Sequence, residues 1–363
     1  MKLQVTQENL NKALGTVARV ANTRNALPIL ANVLLKTTNN RLSVAATNLD
    51  IAITEYCGAK VSEEGSITVP ARLMQDFISN LPHGVIELRL EENKLHISTD
   101  QYNSVINGVV ADDFPVMPAI TDGKTWQISG QQLKKGLQQV IFAASNDQTR
   151  PVLTGVLLHS VKGMIYLAAT DSHRLAEKNL GASEDTYSLL IPATAMQDLL
   201  RIIGDLEGDV RITSDDQQVL FQAGDVELVA RLIDANYPDY RRLIPESFQV
   251  VATVKRTDLV NVTKVSSLFA RESAGSITMN IDEQAQTISV RSVASQLGEN
   301  TSNATGKVTG SGSITLNSRY LLDALQVMNG DEVSFCFNGK LEAAVVRDPK
   351  ADDYVHIIMP LKS

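Results

Sequence analysis

The densest cluster of side chains able to do chemistry is Asp171-Ser172-His173-Arg174. A carboxylate beside an imidazole could move a proton, and a hydrolase would use Asp171 and His173 as a dyad. No nucleophile is indicated for such a dyad to activate. Two other readings fit the same residues. Asp and Ser favour tight connections, so the segment reads as a turn between two strands. It also reads as a binding rim, with donors on His173 and Arg174 beside the apolar Leu175. The stretch Asn236-Tyr237-Pro238-Asp239-Tyr240-Arg241-Arg242-Leu243 is related in composition. Pro238 excludes a central strand, and aromatic side chains with two Arg on an exit loop suit a recognition surface.

Other chemistry is thin. His83, His96, His159 and His356 are dispersed, none at ligand spacing from another, so neither a metal nor a cofactor is expected. Thr309-Gly310-Ser311-Gly312-Ser313 lacks the Lys of a phosphate loop and reads as a turn. Cys57 and Cys336 match no redox or metal spacing and read as buried thiols of a reducing compartment. Met1–Gln7 has no apolar signal core, and no stretch reaches the roughly 18 apolar residues of a membrane span. The expectation is a cytoplasmic protein with no membrane partner.

The elements that must carry these residues are organised as a repeat. Leu27-Pro28-Ile29-Leu30, Asn32-Val33-Leu34-Leu35 and Ala45-Ala46-Thr47 return as Arg150-Pro151-Val152-Leu153, Gly155-Val156-Leu157-Leu158 and Ala168-Ala169-Thr170, an offset of 123 residues. Ile67-Thr68-Val69-Pro70-Ala71 returns as Leu189-Leu190-Ile191-Pro192-Ala193, and weakly as Ser313–Asn317. The 363 residues therefore divide into three units, each long enough to bury its own core.

Within the first unit, Lys2–Val5 reads as a strand. A helix follows with Thr6 as N-cap, Glu8 in its first turn and Leu10, Leu14 and Val17 on one face. Strands are expected at Val33–Lys36, Leu42–Ala45 and Ile51–Tyr56, with Asn39-Asn40 as a hairpin turn. The pattern then recurs: strand Ser66–Val69, a helix from Pro70, and strands at Val85–Leu90, Leu95–Ser98 and Ser104–Val109. Later helices are expected near Gln131–Phe142, Ala193–Ile203, Thr257–Phe269 and Ser318–Met328, and linkers near Pro118–Lys124 and Ile244–Gln249. Val293–Gly306 shows no clear pattern. The reading is α+β, two β-α-β-β-β halves per unit, with helices on one face of mostly antiparallel sheets. Tandem units can satisfy each other's strand edges, leaving the two chain ends to associate with another copy.

The net charge of −8 is unevenly spread. The expected helices carry Lys12, Arg19, Arg72, Lys134, Lys135, Arg201, Arg256, Lys264 and Arg319 against Glu8, Asp76, Asp198, Asp258 and Asp323. If the helices share a surface, it is cationic in an acidic protein and attracts a phosphate backbone without reading sequence. Ordinary solvated helix faces would give the same count.

Ala169-Thr170-Asp171-Ser172-His173-Arg174-Leu175-Ala176, followed by Tyr237-Pro238-Asp239-Tyr240-Arg241-Arg242, resembles the bacterial sliding clamp family, the beta subunits of DNA polymerase III. Leu27–Leu30, Val69–Arg72 and the ending Ile358-Met359-Pro360-Leu361 fit the same family, so the resemblance spans the chain. It implies three tandem DNA-clamp-type domains, 1–121, 122–246 and 247–363, with helices lining the inside and antiparallel sheets outside. It implies a non-catalytic processivity factor: a head-to-tail homodimeric ring that encircles duplex DNA, slides without sequence specificity and tethers the polymerase. The implied partners are the replicative polymerase alpha subunit, the clamp loader, and other polymerases and repair proteins bearing short clamp-binding peptides. The peptide slot would lie between domains 2 and 3, at Arg150, Leu153, Thr170, His173, Arg174, Leu175, Pro238, Arg242, Leu243, Leu341, Met359, Pro360 and Leu361. DNA contacts fall to Arg24, Arg72, Asn317 and Tyr320, joined by the helix cations Lys12, Lys134, Lys135, Arg201 and Lys264. The dimer seam would involve Ile106, Leu268 and Phe269. Ser172 stands where the family commonly has Gly, so its turn must tolerate a Cβ. A repeat scaffold that binds only proteins is the non-enzymatic alternative.

Overall fold

The computed structural model describes residues 1–21, 27–183, 185–204, 207–296 and 298–362. Among them are six α-helices: α1 (Gln7–Val17), α2 (Ala71–Ser79), α3 (Gly130–Val140), α4 (Ala193–Ile202), α5 (Arg256–Phe269) and α6 (Ser318–Val327). Each starts where a strand ends, as the repeat predicts. In α1 the Thr6 hydroxyl accepts from the Asn9 amide at 3.3 Å, Glu8 sits in the first turn, and Leu10, Ala13, Leu14 and Val17 are buried.

All strand pairings are antiparallel, and the chain forms two compact units. The first comprises Met1–Gln131 with Asp198–Leu232. It holds a five-stranded sheet in the order Lys60–Glu63, Lys2–Thr6, Val85–Glu91, Lys94–Ser98, Asn103–Asn107. Its eight-stranded sheet runs Lys124–Ser129, Asp209–Ser214, Gln218–Ala223, Val226–Arg231, Ile51–Gly58, Arg41–Thr47, Asn32–Thr38, Ser66–Pro70. Leu10, Leu14, Leu35, Leu42, Ile53, Ile67 and Met74 are fully buried between the α1–α2 layer and these sheets.

The second unit comprises Gln132–Gln197 with Ile233–Ser363. Its single sheet has twelve strands. The first six are Ser188–Pro192, Gly155–Val161, Met164–Thr170, Arg174–Ala182, Ala351–Ile358 and Ala344–Asp348. Glu332–Phe337, Val250–Lys255, Gly298–Thr309, Thr287–Ala294, Ser276–Asp282 and Gly312–Asn317 complete it. The middle repeat is thus shared between the units. Each of its halves continues a neighbour's sheet: Val226–Arg231 pairs with Ile51–Gly58, and Arg174–Ala182 pairs with Ala351–Ile358. These ladders continue the sheets across the repeat boundaries, and compactness follows the sheets.

Two details differ from the sequence reading. Lys60–Glu63 is a strand that extends Ile51–Gly58 across to Lys2–Thr6. The stretch around Val293–Gly306 is the end of one strand and most of Gly298–Thr309, whose polar residues alternate with half-buried ones and so carry no apolar signal.

Hairpin chemistry repeats at the same offset. Asn39 and Asn40 have φ of 51° and 60°, and Lys162 and Gly163 have φ of 51° and 76°, the two positive values that a type I′ turn demands. Lys162 is exposed and poorly suited to that conformation. Lys162→Asn is expected to stabilise the protein by about 0.5 kcal/mol and Gly163→Ala to destabilise it by about 1 kcal/mol. Urea unfolding midpoints at unchanged m-value check both.

Candidate functional site

The turn at the polar cluster is built twice. Thr170 Oγ1 donates to the Arg174 carbonyl (2.6 Å) and accepts from the Ser172 amide (3.2 Å), while Asp171 Oδ1 accepts from the amides of His173 (2.9 Å) and Arg174 (3.0 Å). Upstream, Thr47 Oγ1 donates to the Ile51 carbonyl and accepts from the Leu49 amide, both at 3.0 Å. Asn48 Oδ1 accepts from the amides of Asp50 (3.0 Å) and Ile51 (2.8 Å). The middle residue is left-handed in both, Ser172 at φ 79° and Leu49 at φ 78°. Ser172 therefore does carry its Cβ in a conformation that favours Gly. Asp171 serves this turn through Oδ1 and holds Arg174 Nε through Oδ2 at 3.1 Å. The Asp171–His173 proton-transfer dyad is not assembled, which corrects the hydrolase reading.

Arg174 is not a free rim donor either. Its guanidinium donates to Asp171, to Asp323 Oδ2 (2.5 Å) and to the Phe142 carbonyl (2.7 Å). It lies over the rings of Tyr320 (4.6 Å) and Phe142 (5.4 Å). With only 11% of its side chain exposed, it clips α6 and the segment after α3 to the polar turn. Breaking such a partly buried network costs about 3 kcal/mol. Below it His356 is fully buried against the Phe142 ring at 5.5 Å, with neither ring nitrogen hydrogen-bonded among the described residues. Burial, and then the positive charge of Arg174, push His356 down to about 3, so it is neutral.

The exit loop is tied to the same sheet by a second network. Tyr240 donates to Glu177 Oε2 (2.5 Å), and Arg241 Nε donates to the same oxygen (2.9 Å). His159 Nε2 lies 2.6 Å from the Tyr240 oxygen. Because Tyr240 gives its proton to Glu177, His159 must be the donor, which fixes its Nε2–H tautomer. The Arg241 guanidinium stacks on Tyr166 at 3.9 Å. Burial and the Arg241 charge push His159 down to about 4. Glu177 interrupts the apolar run Leu175-Ala176, which is the signal by which this network could have been found.

These networks place the slot residues. Leu175 joins Leu157, Tyr240, Val345 and Ile357 in a buried cluster, against which Val152 and Tyr237 pack; Leu153 is also buried. Arg150 Nη1 reaches Ser172 Oγ at 2.8 Å. The Met359 amide donates to the His173 carbonyl and the Leu361 amide to the Thr315 carbonyl, both at 2.8 Å. Turn and C-terminal segment thereby become neighbours, with Pro360 half-buried between them. Leu243 (54%) and Leu341 (62%) are exposed, as are Pro238 and Arg242, whose Nε meets Asp239 Oδ2 at 2.5 Å. Leu341 sits on the loop after Glu332–Phe337, and no hydrogen bond ties it to the rest among the described residues.

The expected DNA-contacting residues fall into several groups. In the first unit, Lys12 and Arg201 line one open groove of about 690 Å³ with Arg19. Arg19 also lines a neighbouring groove of about 410 Å³ with Arg72. Arg201 pairs with Asp198 at 2.6 Å. In the second unit Lys135 and Lys264 are exposed and Lys134 is half-buried. Asn317 and Tyr320, both half-buried, also make contacts within the chain. The Asn317 side chain caps α6, accepting from the Arg319 amide at 2.9 Å and donating to the Ala274 carbonyl at 3.1 Å. Tyr320 packs under Arg174. Arg24 lies outside the described residues. At the expected seam, Leu268 is 50% exposed and Phe269 half-buried, but Ile106 is only 6% exposed. Strand alternation turns Ile106 into its own core and presents Val105 instead. Among the described residues no three His, Cys, Asp or Glu side chains are placed to hold a metal, and no helix is long and apolar enough to cross a membrane.

Antiparallel sheets with α-helices, repeated three times along the chain, define a clamp-type fold. Residues 1–118, 127–239 and 241–362 match in turn the N-terminal, central and C-terminal domains of the DNA polymerase III beta subunit. The beta sliding clamp of Synechococcus elongatus is 31% identical across 100% of this chain and 99% of its own. That of Bacillus subtilis is 29% identical across 100% of both. A crystal structure of the Pseudomonas aeruginosa DnaN sliding clamp bound to griselimycin covers 100% of both chains at a TM-score of 0.95 and 26% identity. The chain belongs to the DNA polymerase III beta subunit family, the bacterial sliding clamps.

The half-buried His159 and the buried His356 are both neutral when folded and protonate near pH 6.5 when unfolded. Stability is therefore full above about 6.5 and falls as pH drops towards about 4 for His159 and about 3 for His356. His159→Gln, which keeps a donor for Tyr240, and His356→Phe should each flatten the acid limb of stability against pH by about one proton. Urea unfolding from pH 7 to 4 measures the difference from the parent.

Proposed function

We propose that this chain is a processivity clamp of DNA polymerase III, without catalytic activity, working in the cytoplasm as a head-to-tail homodimeric ring around duplex DNA. The observation that carries the reading is the pattern of strand edges. The outer edge of Ile51–Gly58 is filled by the second repeat, and that of Arg174–Ala182 by the third. Their counterpart, Gly298–Thr309, pairs over Gly298–Thr305 on one side only among the described residues. Asn103–Asn107, the first repeat's counterpart of the filling strands, ends its sheet. Each copy thus has one donor edge and one acceptor edge of the kind already joined twice within the chain. Two copies would join these two edges in each direction and close six clamp domains, bounded at 1–121, 122–246 and 247–363.

Inside such a ring the helix cations, Arg19, Lys12, Arg72 and Arg201 among them, would meet phosphates without reading bases, which permits sliding. The exposed apolar side chains of Leu243, Leu341 and Met359, the last tied to the Thr170–Leu175 turn through its amide, would take the anchors of a short peptide from the polymerase, the loader or repair proteins.

Leu268→Asp should convert dimers to monomers in size-exclusion chromatography, and an unchanged dimer would remove Leu268 from the seam. Leu243→Asp should weaken capture of a polymerase peptide at least tenfold without changing retention on nicked circular DNA. Protein loaded on that circle should be lost on linearisation. Equal retention on circular and linear DNA would favour the scaffold that binds only proteins.

A further inference from the structure

The peptide slot has a counterpart 123 residues upstream. That offset carries Thr170–Leu175 onto Thr47-Asn48-Leu49-Asp50-Ile51-Ala52 and Pro238 onto Pro115. Strand register agrees: Val229 pairs with Ala52 and Ala230 with Ile51, as Ile357 pairs with Leu175 and Ile358 with Arg174. Arg231 then occupies the place of Met359. A cavity of about 180 Å³ opens at this position, walled by Leu49, Ile51, Ala52, Pro115, Val116 and Val229, with Asp50, Arg231 and Gln218 also in its lining.

Several features of this cavity have no role in holding the fold. Leu49 is an aliphatic residue in the left-handed region, where Asn or Gly would close the turn at lower cost, and it is 49% exposed. Val116 is 95% exposed. Gln218 Oε1 is buried without a hydrogen-bond partner among the described residues. The Arg231 side chain is exposed and in no ion pair among the described residues. Where Arg174 fills the downstream turn with its clip, Ile51 leaves an apolar wall.

We propose that this cavity is a second peptide site, taking a short extended segment of a partner protein that carries one aliphatic anchor next to an Asp or Glu. Its volume lies below the roughly 300–1,000 Å³ of small-molecule sites and suits a single side chain. Gln218 Oε1 is the acceptor for a backbone amide of the segment. Arg231 meets the carboxylate, giving the site a charge preference that Met359 does not give the downstream slot. The proposal rests on the peptide-slot reading of the Thr170–Leu175 turn.

The test uses the full chain with its downstream slot disabled by Leu243→Asp. A phage-displayed random heptapeptide library panned on this protein should enrich sequences with an aliphatic residue beside Asp or Glu. A fluorescein-labelled copy of an enriched peptide should lose at least tenfold in affinity when Val116→Asp or Arg231→Glu is added. Both side chains are exposed, so an unchanged thermal midpoint verifies the fold. Absence of enrichment, or an affinity indifferent to both substitutions, overturns the proposal. Failure of the slot reading is separable: peptides selected on the unsubstituted chain would then be indifferent to Leu243→Asp, whatever Val116→Asp does.

Discussion

A β-strand at the edge of a sheet exposes a row of amide donors and carbonyl acceptors that need partners. In this chain those partners come from the next repeat. Val226–Arg231 completes the sheet begun by Ile51–Gly58, and Ala351–Ile358 completes that of Arg174–Ala182. Each ladder lies inside one compact unit, which is why the units cut through the middle repeat. The same edge chemistry leaves Asn103–Asn107 and Gly298–Thr305 available. Backbone hydrogen bonding, largely indifferent to side-chain identity, can therefore build a closed assembly from repeats that have drifted far apart in sequence.

The ladders also decide where the functional residues go. The pairing of Arg174 with Ile358 brings the C-terminal segment beside the polar turn, and the Met359–His173 hydrogen bond holds it there. Arg174 then links that turn to α6 and to Phe142, while Glu177 holds Tyr240 and Arg241 of the exit loop. Arg174, which looks like chemistry in the sequence, is a positioning device, and so is Glu177. Leu243, Leu341 and Met359 are instead left exposed. The ion pair of the buried Lys178 with the half-exposed Asp353 lies along the same ladder.

Placing cations on helices separates two demands. The sheets can be acidic and edge-paired, as solubility and assembly require, while the helices offer Lys and Arg to a polyanion. Part of the cation set is neutralised locally, Arg201 by Asp198 and Arg72 by Asp76. The remaining attraction is diffuse and suits a protein that must hold DNA loosely.

The repeat, the six helices, the Asn39-Asn40 hairpin and most strands of the first repeat were legible in the sequence because they depend on local periodicity and on Gly, Asn and Pro at fixed positions. Leu10, Leu14 and Val17 announce α1, and Asn39-Asn40 announces its turn, with no help from the rest of the chain. The polar cluster was legible as a site but not as a mechanism. That Asp171 is consumed by its turn, that Asn317 is a helix cap, and that Ile106 faces inward depend on which atoms fold back upon one another. Lys60–Glu63 and Gly298–Thr309 were obscured because polar edge strands lack apolar alternation and are defined by their neighbours. Local propensity thus set the elements. Only the tertiary ladders, by fixing register between residues more than a hundred positions apart, decided that Arg174 clips, that Leu243 and Met359 stay exposed, and that Leu49 and Val116 flank an open hollow.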